Sequence, residues 1–87
     1  MYDYIEPFPT CDLILKILAE APSRRLDQAF IYAQLTRNQN IRSALQHLVD
    51  DDCIKEDPPP SYFLLNGKGS QLNANGGYKA LFERLKM

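Results

Sequence analysis

Four side chains in one short stretch, Arg42, Ser43, Gln46 and His47, are of the types that hydrogen-bond base edges or phosphates. They interleave with Ile41, Ala44, Leu45, Leu48 and Val49, whose i, i+3, i+4, i+7, i+8 spacing predicts an amphipathic helix over residues 40–49. Such a helix holds a dry face against a core and offers a donor-rich face to a partner. The plainer alternative is a polar face that is merely solvated, as on most amphipathic helices.

Catalytic chemistry finds less support. His47 is the single histidine, and a lone histidine on a polar helical face is more often a surface residue than a general base. Asp50-Asp51-Asp52 suggests a metal by composition, yet consecutive residues at a helix end point in different directions. Gly67-Lys68-Gly69-Ser70 has the make-up of a phosphate loop without the G-x-x-x-x-G-K-[ST] spacing. Cys11 and Cys53, with one histidine, fall short of the four ligands of a usual zinc site, and we read both as reduced thiols. The expectation is a protein that is not an enzyme and takes neither cofactor nor metal.

Composition narrows the class. The 87 residues suit one domain, spanning 1–87, with 45% hydrophobic and 24% charged residues, near the globular average. A chain of this size hides only roughly 60–65% of its unfolded surface, so its core is thin. No run approaches the roughly 20 apolar residues of a membrane span, and no basic-then-apolar leader opens the sequence; no membrane association and a cytoplasmic location are expected. The net charge of −1 lacks the basic excess common among nucleic-acid binders. The charges are segregated, however. Arg24, Arg25, Arg37 and Arg42 fall in a middle block, and Asp50, Asp51, Asp52, Glu56 and Asp57 in the next, which implies a dipolar field.

The elements around the 40–49 helix follow from local signals. Residues 1–10, aromatic and proline-containing without periodicity, predict an extended arm. Thr10 is placed to cap a first helix with Asp12 in its first turn; Leu13, Ile14, Ile17, Leu18 and Ala21 form its stripe, and Pro22 ends it. Ser23 to Leu26 is a link with room for a minimal strand. Asp27 caps a second helix through Leu35, with Phe30, Ile31, Ala33 and Leu35 directed at the core, and Thr36 to Gln39 form a polar turn. Residues 53–65 predict a hairpin bent at Pro58-Pro59-Pro60. A short helix follows over Asn66 to Leu72, and Asn73 to Gly77 stop it. The last helix, within 77–87, carries the stripe Tyr78, Leu81, Phe82 and Leu85, which either folds back or docks on a second copy as a homodimer contact.

The order helix, helix, polar turn, donor-rich helix, hairpin and closing helix resembles the winged helix-turn-helix family. Ile41-Arg42-Ser43-Ala44-Leu45-Gln46-His47-Leu48-Val49-Asp50-Asp51-Asp52-Cys53-Ile54 is similar to its recognition helix running into the wing. Tyr62-Phe63-Leu64-Leu65-Asn66-Gly67-Lys68-Gly69 is similar to its second wing strand and following helix start, and Asn75-Gly76-Gly77-Tyr78 resembles the tail of some small bacterial members. The resemblance covers Asp12 to about Leu72. It implies a mainly α fold with a small β-hairpin (α+β) and an additional C-terminal helix. It also implies a DNA-binding transcription regulator, acting by site occupancy on double-stranded DNA as a homodimer. Carried over, it places Arg37, Asn38, Asn40, Arg42, Ser43, Gln46 and His47 at or near a major groove, Arg42 toward guanine, Gln46 and Asn40 toward adenine, and Arg37 toward phosphate. The wing departs from the family pattern, because Glu56 and Asp57 adjoin its tip where basic residues are common. That departure keeps open a second reading, a winged-helix adaptor that binds a protein partner and no DNA.

Overall fold

A computed structural model describes residues 3–57, 59 and 61–85. Among the described residues the elements follow in the order α1 (Phe8–Glu20), β1 (Arg25–Asp27), α2 (Gln28–Gln34), α3 (Ile41–Asp50), β2 (Ile54–Glu56), β3 (Tyr62–Leu65), α4 (Gly67–Ala74) and α5 (Gly77–Leu85), with a 3-10 turn at Pro22–Arg24. The fold is therefore α+β, mainly helical with one small antiparallel sheet ordered β1-β3-β2. The expected hairpin is there, with Ile54 opposite Leu65 and Glu56 opposite Phe63. The link before Asp27 supplies the third strand, Leu26 opposite Phe63, on the other edge of β3.

α1 is the central element, packed against α3, α4, α5 and β3. Its Cys11, Ile14, Leu15 and Leu18 are fully buried and meet Ile41, Ala44, Leu45 and Leu48 of α3, together with Ile31, Ile54, Phe63 and Leu65. Both thiols are free and buried, Cys11 donating to the Ala44 carbonyl at 3.6 Å. Burial foremost, then the Asp12 charge, pushes the Cys11 thiol up to about 12.

Several expectations change. The arm is shorter than its sequence suggested, because α1 starts at Phe8 with Pro9 in its first turn, where a missing N–H costs nothing. Thr10 is thus inside the helix and completely buried, donating to Glu6 Oε1 at 2.6 Å rather than capping. Asp12 lies beyond the first turn and serves α5 instead. In α2 only Ile31 is fully buried; Leu35 is half-buried, whereas Phe30 and Ala33 face outward. Pro58 and Pro60 of the hairpin tip, and residues 1, 2, 86 and 87, lie outside the described residues.

Candidate functional site

The α3 helix meets the expectation of two faces. Ile41, Ala44, Leu45 and Leu48 are buried and Arg42, Ser43, Gln46 and Asp50 are exposed. Its C-terminal end is closed by a Schellman arrangement: the Cys53 N–H donates to the Leu48 carbonyl at 2.9 Å and the Asp52 N–H to the Val49 carbonyl at 3.1 Å. Asp52 takes the left-handed backbone this requires, with φ of 59°. That turn sends the chain directly into β2, so the hairpin stands beside the exposed face.

The α2–α3 turn is built by Asn38. Its Oδ1 accepts from the Asn40 N–H at 2.8 Å and its Nδ2 donates to the Thr10 hydroxyl at 3.0 Å, pinning the turn onto α1. Asn38 is half-buried and its side chain is committed to the turn, whereas half-buried Asn40 makes no side-chain cap to α3. Arg37 is exposed in the same turn with a left-handed backbone, φ of 75°, so its side chain leaves the surface just ahead of α3.

His47 stands at the border of the expected set. It is half-buried, edge-on to Phe8 at 4.9 Å and to Tyr78 at 5.4 Å between ring centroids, and it also lines a surface depression with Arg42, Ser43, Gln46 and Asp50. Phe8, Tyr78 and Phe82 complete this cluster, Phe8 lying 4.7 Å from Phe82. Tyr78 and Phe82 are only 3% and 4% exposed, so α5 folds back and neither is free for a second copy. Of the proposed dimer stripe, half-buried Leu81 and exposed Leu85 remain at the surface.

What the fold brings together is a depression of about 170 Å³ between α2, α3 and the hairpin. Leu45, Val49 and Phe63 line it with apolar surface, and Gln28, Tyr32, Arg42, Gln46 and Glu56 surround them with polar groups. Gln28 and Tyr32 escaped the sequence reading as site residues, and Glu56 entered it only as an acidic wing residue. The available signal was the i, i+4 spacing of Gln28 and Tyr32 on one face of α2. Gln46 is held by Asp50, its Nε2 donating to Oδ1 at 2.9 Å. At the hairpin's other edge Arg25 lies over the Tyr62 ring, 4.2 Å from its centroid, and donates from Nε to the Asp57 carbonyl at 2.9 Å. That grip fixes the strand ends leading to the tip.

No group of acidic, histidine or cysteine side chains suited to a metal ion occurs among the described residues. No helix among them is long and apolar enough to cross a membrane. Comparison of the chain with protein-family models, characterised proteins and solved structures finds no match.

Proposed function

We propose that this chain is a winged-helix DNA-binding protein that presents α3 to the major groove of a duplex. The observation that carries the reading is the exposure of Arg42, Ser43 and Gln46 on one outward face of α3, with Arg37 leaving the turn just before it. A major groove about 12 Å wide admits a helix in this role. In that pose Arg42 takes guanine O6 and N7 through two N–H groups, Gln46 takes adenine on release from Asp50, and Arg37 and Ser43 contact phosphates. A regulator of this kind acts by occupying its site.

The acidic frame favours a second reading. Glu56 shares the depression with Arg42, and Asp50 occupies the amide of Gln46, so carboxylates stand beside both principal donors. Phosphate approach against them costs Coulomb energy, whereas a protein carrying its own basic side chains gains. On this reading the α2–α3–hairpin depression is an adaptor surface.

Selection from a random duplex pool separates the two. A DNA reader enriches a sequence at about 50 mM salt, with affinity falling steeply as salt rises. Replacing Arg42 and Gln46 by Ala is expected to cost about 1–3 kcal/mol for each lost bidentate contact and to relax the preference. Absence of duplex binding at low salt refutes the proposal and leaves the protein adaptor.

A further inference from the structure

The outer surface of α1 and α2 carries a second feature, on the other side of α2 from the depression. Leu13 and Phe30 are 46% and 47% exposed. Beside Phe30 runs a groove of about 260 Å³ whose walls include Ile17, Glu20, Ala21, Pro22 and Leu26. Phe30 is two residues from both Gln28 and Tyr32, about 200° round the helix. Anything seated on the groove therefore leaves the exposed face of α3 clear.

Charge identifies the occupant. Lys16 and Glu20 are exposed on the α1 face that also carries Leu13 and Ile17, the four residues falling at i, i+3, i+4 and i+7. The one ion pair among the described residues joins Lys68 to Asp51, so neither Lys16 nor Glu20 is paired there. One free charge of each sign, a turn apart beside an apolar stripe, is self-complementary under a twofold axis. Antiparallel pairing of α1 with a second α1 sets Lys16 against Glu20 in both directions and lowers each Leu13 into the opposite groove beside Phe30. Parallel pairing sets like against like. An isologous interface requires this reciprocity, residue i meeting j and j meeting i.

We infer that the α1–α2 face is the surface through which two copies of this chain associate, through Leu13, Lys16, Ile17, Glu20 and Phe30. The inference holds whatever α3 binds. A helix of 13 residues is about 20 Å long, so the contact sits at the small end of specific interfaces.

Sedimentation equilibrium of the full chain from about 1 µM to 1 mM tests it. The wild type is expected to pass from monomer to dimer. Lys16→Glu and Glu20→Lys each weaken the dimer by about tenfold or more, because each creates two like-charge contacts per dimer. The double exchange K16E/E20K recovers wild-type affinity to within about threefold, the mark of a direct pair. Phe30→Asp abolishes the dimer, with circular dichroism checking that the fold survives at this exposed position. A chain monomeric throughout overturns the inference, as does a dimer indifferent to the charge reversals or a double exchange no better than the singles. Loss of dimer on Leu81→Asp or Leu85→Asp, with Phe30→Asp silent, moves the contact to α5 and equally overturns it.

Discussion

Asp12 ties the start of the chain to its end. One carboxylate oxygen accepts from the Tyr78 N–H at 2.7 Å, and the other accepts from the Lys79 N–H at 3.1 Å and the Tyr4 hydroxyl at 2.7 Å. It thereby caps the N-terminus of α5 from another helix, satisfying N–H groups that α5 itself leaves open. Gly77 makes room for it: φ is +74°, and a Cβ there would lie 2.5 Å from Asp12 Oδ1. Gly77→Ala is expected to lose about 2–3 kcal/mol in urea denaturation, from the left-handed backbone and the displaced cap together. A loss under about 0.5 kcal/mol, the range of neutral surface changes, would remove Asp12 from this role. None of it was legible in advance, because a local reading gives Asp12 to its own helix. The partner lies 66 residues away.

At the scale of elements, the end of α3 and the start of α4 form one junction. Asn66 accepts from the Gly69 N–H at 3.0 Å, capping α4, and donates to the Asp52 carbonyl. Asp51 accepts from the Tyr78 hydroxyl at 2.5 Å and from Lys68 at 3.2 Å, so α5 and α4 both close on the α3 terminus. Burial alone would raise the Asp51 carboxyl. The Tyr78 and Lys68 hydrogen bonds and the Lys68 charge outweigh it and hold the group below the ordinary aspartate range. A depressed folded-state value stabilises the protein above the unfolded value, near about 3.9, and that stabilisation disappears as pH falls through the folded one. Asp51→Asn should cost on the order of 1 kcal/mol at neutral pH, since Asp51 is 39% exposed and screened. Thermal melts should show the gap from wild type closing below about pH 4; a gap constant to about pH 2 would contradict the assignment. Periodicity made the stripe of α3 readable, but in α1 it took exposed Leu13 for core and passed over fully buried Leu15, and in α5 it counted exposed Leu85. It failed in α2, where seven residues hold barely two turns and cannot decide whether Phe30 or Ile31 faces inward. It also could not choose between a folded-back and a docked α5, since both bury Tyr78 and Phe82.

For the whole molecule, two faces stand out on the surface. α3 and the hairpin present Arg42, Gln46 and Glu56, while α1 and α2 present Leu13, Phe30, Lys16 and Glu20. The polar half of the first was visible in the sequence from residue types and helical spacing. Its true extent was not, because Asn38 looks like a free donor until the packing of α1 claims it. DNA binding is proposed for the exposed α3 face. The most direct measurement is an amide-resolved NMR titration of the chain with a duplex at about 50 mM salt. Binding through α3 is expected to give chemical-shift changes concentrated at Arg37, Arg42, Ser43 and Gln46, collapsing as salt is raised. Shifts confined to α5 or to the α1–α2 groove, or none at any duplex concentration, would contradict it.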